Sequence, residues 1–108
     1  MTQKQLENMA LELRRGVIAL AVLSQLRQEQ YGYSLIKLLN EQGLEIDQGT
    51  LYPLLRRLES SGLLKSEWRV EGPRPRRYYQ TSGDGKEALA TLGQEWNKLV
   101  EVMEGLLS

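Results

Sequence analysis

The sequence predicts a small, mainly helical domain carrying one β-hairpin. Three observations predict it. Apolar residues recur at helical spacing in three stretches before Gly62, the period drops to two between Leu64 and Thr81, and helical spacing returns from Ser82 onward. A length of 108 residues sets one domain with room for a single core.

The elements follow in order. Leu6, Met9, Leu13, Val17, Leu20 and Leu23 recur at helical spacing from Gln5 to about Gln28, broadening to a mostly apolar stretch at Val17 to Val22. This predicts a long buried helix, weakened at Gly16 by about 1 kcal/mol relative to alanine. Tyr31-Gly32-Tyr33 breaks it, and Leu35, Ile36, Leu38 and Leu39 form the stripe of a short second helix ending near Gly43. Ile46 anchors the turn. Asp47 is a good N-cap for a third helix, whose Leu51, Leu54, Leu55 and Leu58 share one face before Gly62 ends it. Leu64, Ser66, Trp68 and Val70 then alternate with Lys65, Glu67, Arg69 and Glu71, and Gly72-Pro73 turns the chain into a second strand, Arg76 to about Thr81. Tyr78 and Tyr79 fall on opposite faces, one toward the core and one exposed. Ser82 caps a last helix, with Asp84 in its first turn where the helix dipole favours it.

Composition removes much chemistry. The chain has no cysteine and no histidine, which excludes disulfides, thiolate zinc sites and histidine proton transfer. No metal or cofactor is expected. The nearest carboxylate pair, Glu41 and Glu45, reads as exposed charge, so no enzyme is expected. No run of about 18 apolar residues could span a bilayer, and the polar N-terminus reads as a helix start and not as a leader. The expectation is a soluble cytoplasmic protein.

The formal net charge is zero, from 14 basic and 14 acidic residues, but its distribution is uneven. Residues 1–51 hold five basic and six acidic side chains, residues 52–80 seven and three, and residues 81–108 two and five. The segment balances are therefore −1, +4 and −3, and a basic middle suggests one face that meets an anion.

Three helices followed by a hairpin is the winged helix-turn-helix arrangement, in which the third helix enters the DNA major groove and the hairpin reaches the backbone or minor groove. With the four leucines turned inward, the opposite face of the third helix carries Gly49, Pro53, Arg56 and Ser60, flanked by Tyr52 and Arg57. Arg56 suits bidentate bonds to guanine or phosphate, Tyr52 can donate to phosphate or pack on a base, and Gly49 lets the helix N-terminus approach phosphates. Arg56 and Arg57 standing alone would read as solvated charges paired with Glu59 or Glu41. They are joined by Arg74, Arg76 and Arg77 at the hairpin turn, stiffened by Pro73 and Pro75. Such a cluster gives affinity for the DNA backbone through counterion release. The competing class is a winged-helix protein-interaction module, which would more often place apolar anchors there.

In the last helix Leu89, Leu92, Trp96, Leu99, Met103 and Leu106 alternate at spacings of three and four, a heptad seam. From Ser82 to Leu107 it would run roughly 37 Å at 1.5 Å per residue, more than this domain needs to cover its own core. The surplus implies a second copy, with the first helix also contributing. Trp96 is either a packing anchor or the wall of a cavity between subunits, where Gly93, one turn away, leaves room for a flat ligand.

The run Gly49-Thr-Leu-Tyr-Pro-Leu-Leu-Arg-Arg-Leu-Glu-Ser-Ser-Gly-Leu-Leu-Lys-Ser-Glu-Trp68, then Gly72-Pro-Arg-Pro-Arg-Arg-Tyr-Tyr79, closely resembles the PadR family of bacterial transcriptional regulators, as does Tyr31-Gly-Tyr-Ser-Leu35. The resemblance implies a repressor acting as a homodimer on a palindromic operator and released by a small molecule. Residues 1–81 would form the DNA-binding unit and residues 82–108 the dimerisation helix, packed as one body. The DNA-facing set is then Tyr33, Gln48, Gly49, Thr50, Tyr52, Arg56, Arg74, Arg76 and Arg77, and the partners are double-stranded DNA, a second copy and a small planar or aromatic effector. The single final helix resembles that of the smaller subfamily, whose multidrug-binding members hold planar compounds against a tryptophan. One departure is local: the family places an apolar residue where this chain has Thr81, at the end of the second strand and away from any DNA-facing position.

Overall fold

The helices start where short polar side chains take up amides that have no partner within the helix. In the computed structural model, which describes residues 1–108, Thr2 opens helix α1 (Gln3–Gln25) in a reciprocal capping box with Gln5. A two-residue strand β1 (Gln30–Tyr31) leads into α2 (Gly32–Glu41). Asp47 then caps α3 (Gln48–Ser60), accepting from the Thr50 amide at 2.8 Å. Strands β2 (Leu64–Glu71) and β3 (Arg74–Thr81) form the hairpin, or wing. Ser82 caps α4 (Gly83–Leu107), accepting from the Gly85 amide at 3.0 Å, with Asp84 in the first turn. The glycines at the ends of α2 and α3 and at the hairpin turn take left-handed φ values of 97°, 81° and 66° at Gly43, Gly62 and Gly72.

One core joins the elements. Ile18, Val22, Leu23 and Leu26 meet Leu35 and Leu39 of α2, the four inward leucines of α3, Leu64 and Tyr79 of the wing and Leu89 of α4. Ile46 is buried in the α2–α3 turn as expected. Tyr79 is buried, as alternation predicts for one of the pair, whereas Tyr78 is half-buried and not fully exposed.

Three features depart from expectation. The sheet has three strands in the order β1-β3-β2, with Gln30 opposite Tyr79 and Tyr31 opposite Tyr78. The hairpin thus gains an edge strand from the segment before Gly32, whose sequence reads only as a break. The first helix is not buried along its length: Leu6, Met9 and Leu13 are 53%, 60% and 80% exposed, and burial begins at Ile18. Along β2 only Leu64 is buried, while Trp68 and Val70 overhang the core and stay exposed.

Thr81 takes its polar place without penalty. Its hydroxyl donates to the Leu23 carbonyl at 2.8 Å and its amide to the Leu26 carbonyl at 2.8 Å. Both acceptors lie at the end of α1, where carbonyls lack helical partners. A buried hydroxyl with a good acceptor carries little cost, so the departure from an apolar residue is absorbed by capping.

Candidate nucleic-acid interface

The outward face of α3, the start of α2 and the wing enclose a concavity of about 700 Å³. Tyr31, Gly32 and Tyr33 line one wall, Gln48, Tyr52 and Arg56 the floor, and Trp68, Arg74, Pro75, Arg76, Arg77 and Tyr79 the other wall. The lining holds four arginines and no carboxylate. In a chain of zero net charge, this concentrates positive potential in one hollow.

Sequence reasoning names nine residues for this face, and seven line the concavity: Tyr33, Gln48, Tyr52, Arg56, Arg74, Arg76 and Arg77. Gly49 and Thr50 lie beside it on the exposed first turn of α3. Thr50 borders a separate hollow with Leu11, Arg14, Asn40 and Asp47. At Gly49 a Cβ would meet only Asp47 Oδ1 at 3.5 Å, so packing does not demand a glycine there and the space stands open to an approaching molecule.

The side chains are held differently. Arg56, Arg57 and Arg74 are exposed and make no ion pair, so the pairing with Glu59 or Glu41 that would have marked the first two as ordinary surface charge is absent. Tyr52 is half-buried, its ring lying against Gly32. A Cβ at Gly32 would come within 2.5 Å of Tyr52 Cε1, so the glycine that opens α2 is what lets Tyr52 lie flat across the floor. Arg76 lies over the Tyr31 ring at 4.5 Å, and Tyr31 meets Tyr78 edge-on at 5.5 Å.

The ribbon divides the three wing arginines. Successive strand residues face opposite ways, so Arg74 and Arg76 share one side of β3 and Arg77 takes the other. Arg77 donates to Glu59 at 2.7 Å and Ser66 at 2.9 Å, so it is not the free phosphate ligand that the linear cluster suggests. On the Arg76 side, Arg69 pairs with Glu29 at 2.5 Å and with Glu67, and lies over Tyr78 at 4.7 Å. The Glu67 bond raises the Arg69 pKa further. Tyr78 donates to Glu71 at 2.6 Å, which holds its phenol above the usual range. Burial does the same to Tyr79, opposed by the Arg77 charge.

Trp68, Glu59 and Ser66 are the residues that sequence reasoning misses. Trp68 faces the concavity at 64% exposure, although strand alternation assigns it with Leu64 to one inward face. The register Trp68 opposite Arg77 and Ser66 opposite Tyr79 could have revealed the grouping, since cross-strand partners share a face.

On the far side, Leu89 is taken up by the core of its own chain, so the exposed seam begins at Leu92. Leu92, Trp96, Leu99, Met103 and Leu106 follow at 41%, 41%, 54%, 44% and 72% exposure. Gly93 borders a groove between α1 and α4 with Leu20, Ser24, Arg27, Lys86, Leu89 and Ala90, and Trp96 does not line it. No helix is long and apolar enough to cross a membrane.

Comparison with known proteins agrees with this geometry. Residues 19–91 match the model of the transcriptional regulator PadR-like family. The chain is 40% identical over 79 residues to transcriptional regulator Rv3488 of Mycobacterium tuberculosis, covering 72% of this chain and 74% of that one. The fold superposes on a PadR family transcriptional regulator from Eggerthella lenta with a TM-score of 0.89 and 47% identity, over 97% of this chain and 94% of that chain. A PadR family transcription regulator from Clostridium difficile gives 0.77 and 32%, over 84% and 98%. With the family model spanning more than half its length and helix, wing and arginine-lined hollow in place, the chain belongs to the PadR-like family of transcriptional regulators.

Proposed function

We propose that the protein is a sequence-specific DNA-binding repressor that acts as a homodimer on a palindromic operator. Residues 1–81 meet DNA and residues 82–108 join the two copies. The observation that carries the reading is the hollow between α3 and the wing, lined by four arginines and no carboxylate. In the bound state α3 enters the major groove with Gln48, Arg56 and Tyr52 toward base edges, and Arg74 and Arg76 meet phosphates on either side. A protein-docking use of the same face would favour apolar anchors over unpaired Arg56 and Arg74.

Binding measured against salt on a duplex selected from a random library tests this. Arg74→Ala is expected to weaken all duplexes alike and to flatten the dependence of log K on log salt by about 0.9 for each phosphate left without its arginine. Arg56→Ala is expected to relax discrimination at one base pair per half-site, worth about 1–3 kcal/mol. If the wild-type protein enriches no duplex at low salt, the reading fails.

The repressor responds to a planar or aromatic effector at Trp96. What favours this is an indole 41% exposed in the middle of an apolar seam, a surface on which a flat ring can stack between two copies. Titration with planar cationic and phenolic compounds should quench tryptophan fluorescence. A quench that survives Trp96→Ala belongs to Trp68 and removes the effector site from the seam.

A further inference from the structure

Among the arginines of the wing, Arg77 alone is engaged with both α3 and the partner strand. Its Nε donates to Ser66 Oγ at 2.9 Å and its Nη2 to Glu59 Oε1 at 2.7 Å, while Ser66 Oγ donates to Glu59 Oε2 at 2.5 Å. Three side chains, one each from α3, β2 and β3, thus close a ring. The guanidinium also lies over Trp68, its cross-strand partner, at 5.7 Å and over Tyr79 at 5.4 Å. A planar fork held by two hydrogen bonds and flanked by two aromatic rings has little freedom left.

Glu59 occupies an unfavourable place. It is the only acidic residue of α3 and it lies in the last turn, where the helix dipole disfavours a carboxylate. Bonded to Arg77, it also offsets one of the four positive charges that line the hollow. Both costs are accounted for if its task is to hold Arg77.

We propose that Arg77 is a positioning residue, which with Glu59 locks the wing at a fixed angle to the recognition helix, so that Arg74 and Arg76 reach phosphates in register with Arg56 in the groove. The inference rests on the DNA-binding reading above. It opposes the simpler role, in which Arg77 is itself a phosphate ligand, and the two differ in sign at Glu59. Removing Glu59 makes the face more basic and frees Arg77. A phosphate ligand would then bind DNA better, whereas a brace would release the wing.

The experiment uses the full chain and a duplex enriched from a random library by the wild-type protein. Binding is measured across a salt series for Glu59→Ala, Arg77→Ala, the double variant and Arg77→Lys, with circular dichroism melts showing that each is folded. The expected result is that Glu59→Ala and Arg77→Ala each weaken binding by the dimer by about tenfold, the scale of the wing ordering that binding itself must then supply. Their salt slopes agree, the double variant is no worse than either, and Arg77→Lys, which keeps the charge but not the fork, fails to restore affinity. Glu59→Ala binding as tightly as wild type or tighter overturns the proposal, as does a slope reduced only in Arg77→Ala and restored by lysine. Failure of the wild-type protein to enrich any duplex overturns the regulator reading and the brace with it, and is distinguished by needing no variant at all.

Discussion

A chain carrying Leu99→Glu together with Met103→Glu is expected to sediment as a monomer, to keep its helical circular dichroism, and to bind its selected duplex about a thousandfold or more weakly, the lower end of the gap between specific and non-specific binding. Within one chain these side chains are 54% and 44% exposed, so neither belongs to the core and the protomer folds without them. They sit in a line of exposed apolar residues that continues through Leu92, Trp96 and Leu106, matched on α1 by Leu6, Met9 and Leu13. Apolar surface that extensive is seldom left in water. In the proposed homodimer, glutamates at seam positions would oppose their symmetry mates on a segment already at −3, and separate the copies. One domain would then read one half-site, and the contribution of the other would disappear. Sedimentation and a duplex-binding isotherm check both halves. A double variant that remains a dimer, or a monomer that holds full affinity, removes the two-fold arrangement.

Gly85→Ala is expected to cost about 3 kcal/mol or more, at the upper end for overpacking. A Cβ there would run into the backbone carbonyl oxygen of Leu63 and come within 2.6 Å of Thr81 Cγ2. A carbonyl cannot rotate aside as a side chain tip can, so the start of α4 must move away from the α3–β2 junction. That junction also holds α4 through the Ser82 amide on the Leu63 carbonyl at 3.0 Å and the Ser82 hydroxyl on the Gly62 carbonyl at 2.6 Å. At roughly 4–8 °C per kcal/mol for a domain near this size, the midpoint falls by about 12 °C or more. Gly93→Ala in the same helix is the control. Nothing lies within 4 Å of its Cβ position, and alanine there should raise stability by up to about 1 kcal/mol. Thermal melts of the two variants check the contrast, and equal effects would mean that the close approach at Gly85 is not what requires glycine.

The parts legible in the sequence are those set by short-range physics. Asp47 and Ser82 cap their helices because a carboxylate or hydroxyl three residues ahead of an amide reaches it wherever the rest of the chain lies. The inward leucines of α3 follow from helical spacing, and the outward Arg56 follows from them. Strand β1 is illegible because two residues have no period. The exposed half of α1 is misjudged because apolar spacing marks a stripe and does not say how far along it the chain's own core reaches. Arg77 groups with Arg74 and Arg76 in the sequence because they adjoin there, whereas a ribbon sends neighbours to opposite sides and only the packing of α3 against the wing brings Glu59 to one of them. Alternation places Trp68 on the face of Leu64, but it marks a face and not how far the core extends beneath it.

The two bonds from Thr81 have a mechanical meaning. Helices commonly end on a left-handed glycine that can swivel, but α1 ends on a strand, with the hydroxyl and amide of one residue fastened to Leu23 and Leu26. The same strand, β3, is the stem of the wing. The end of α1 is therefore pinned to the stem of the ribbon by two atoms of one residue, and neither element can shift at that point without the other.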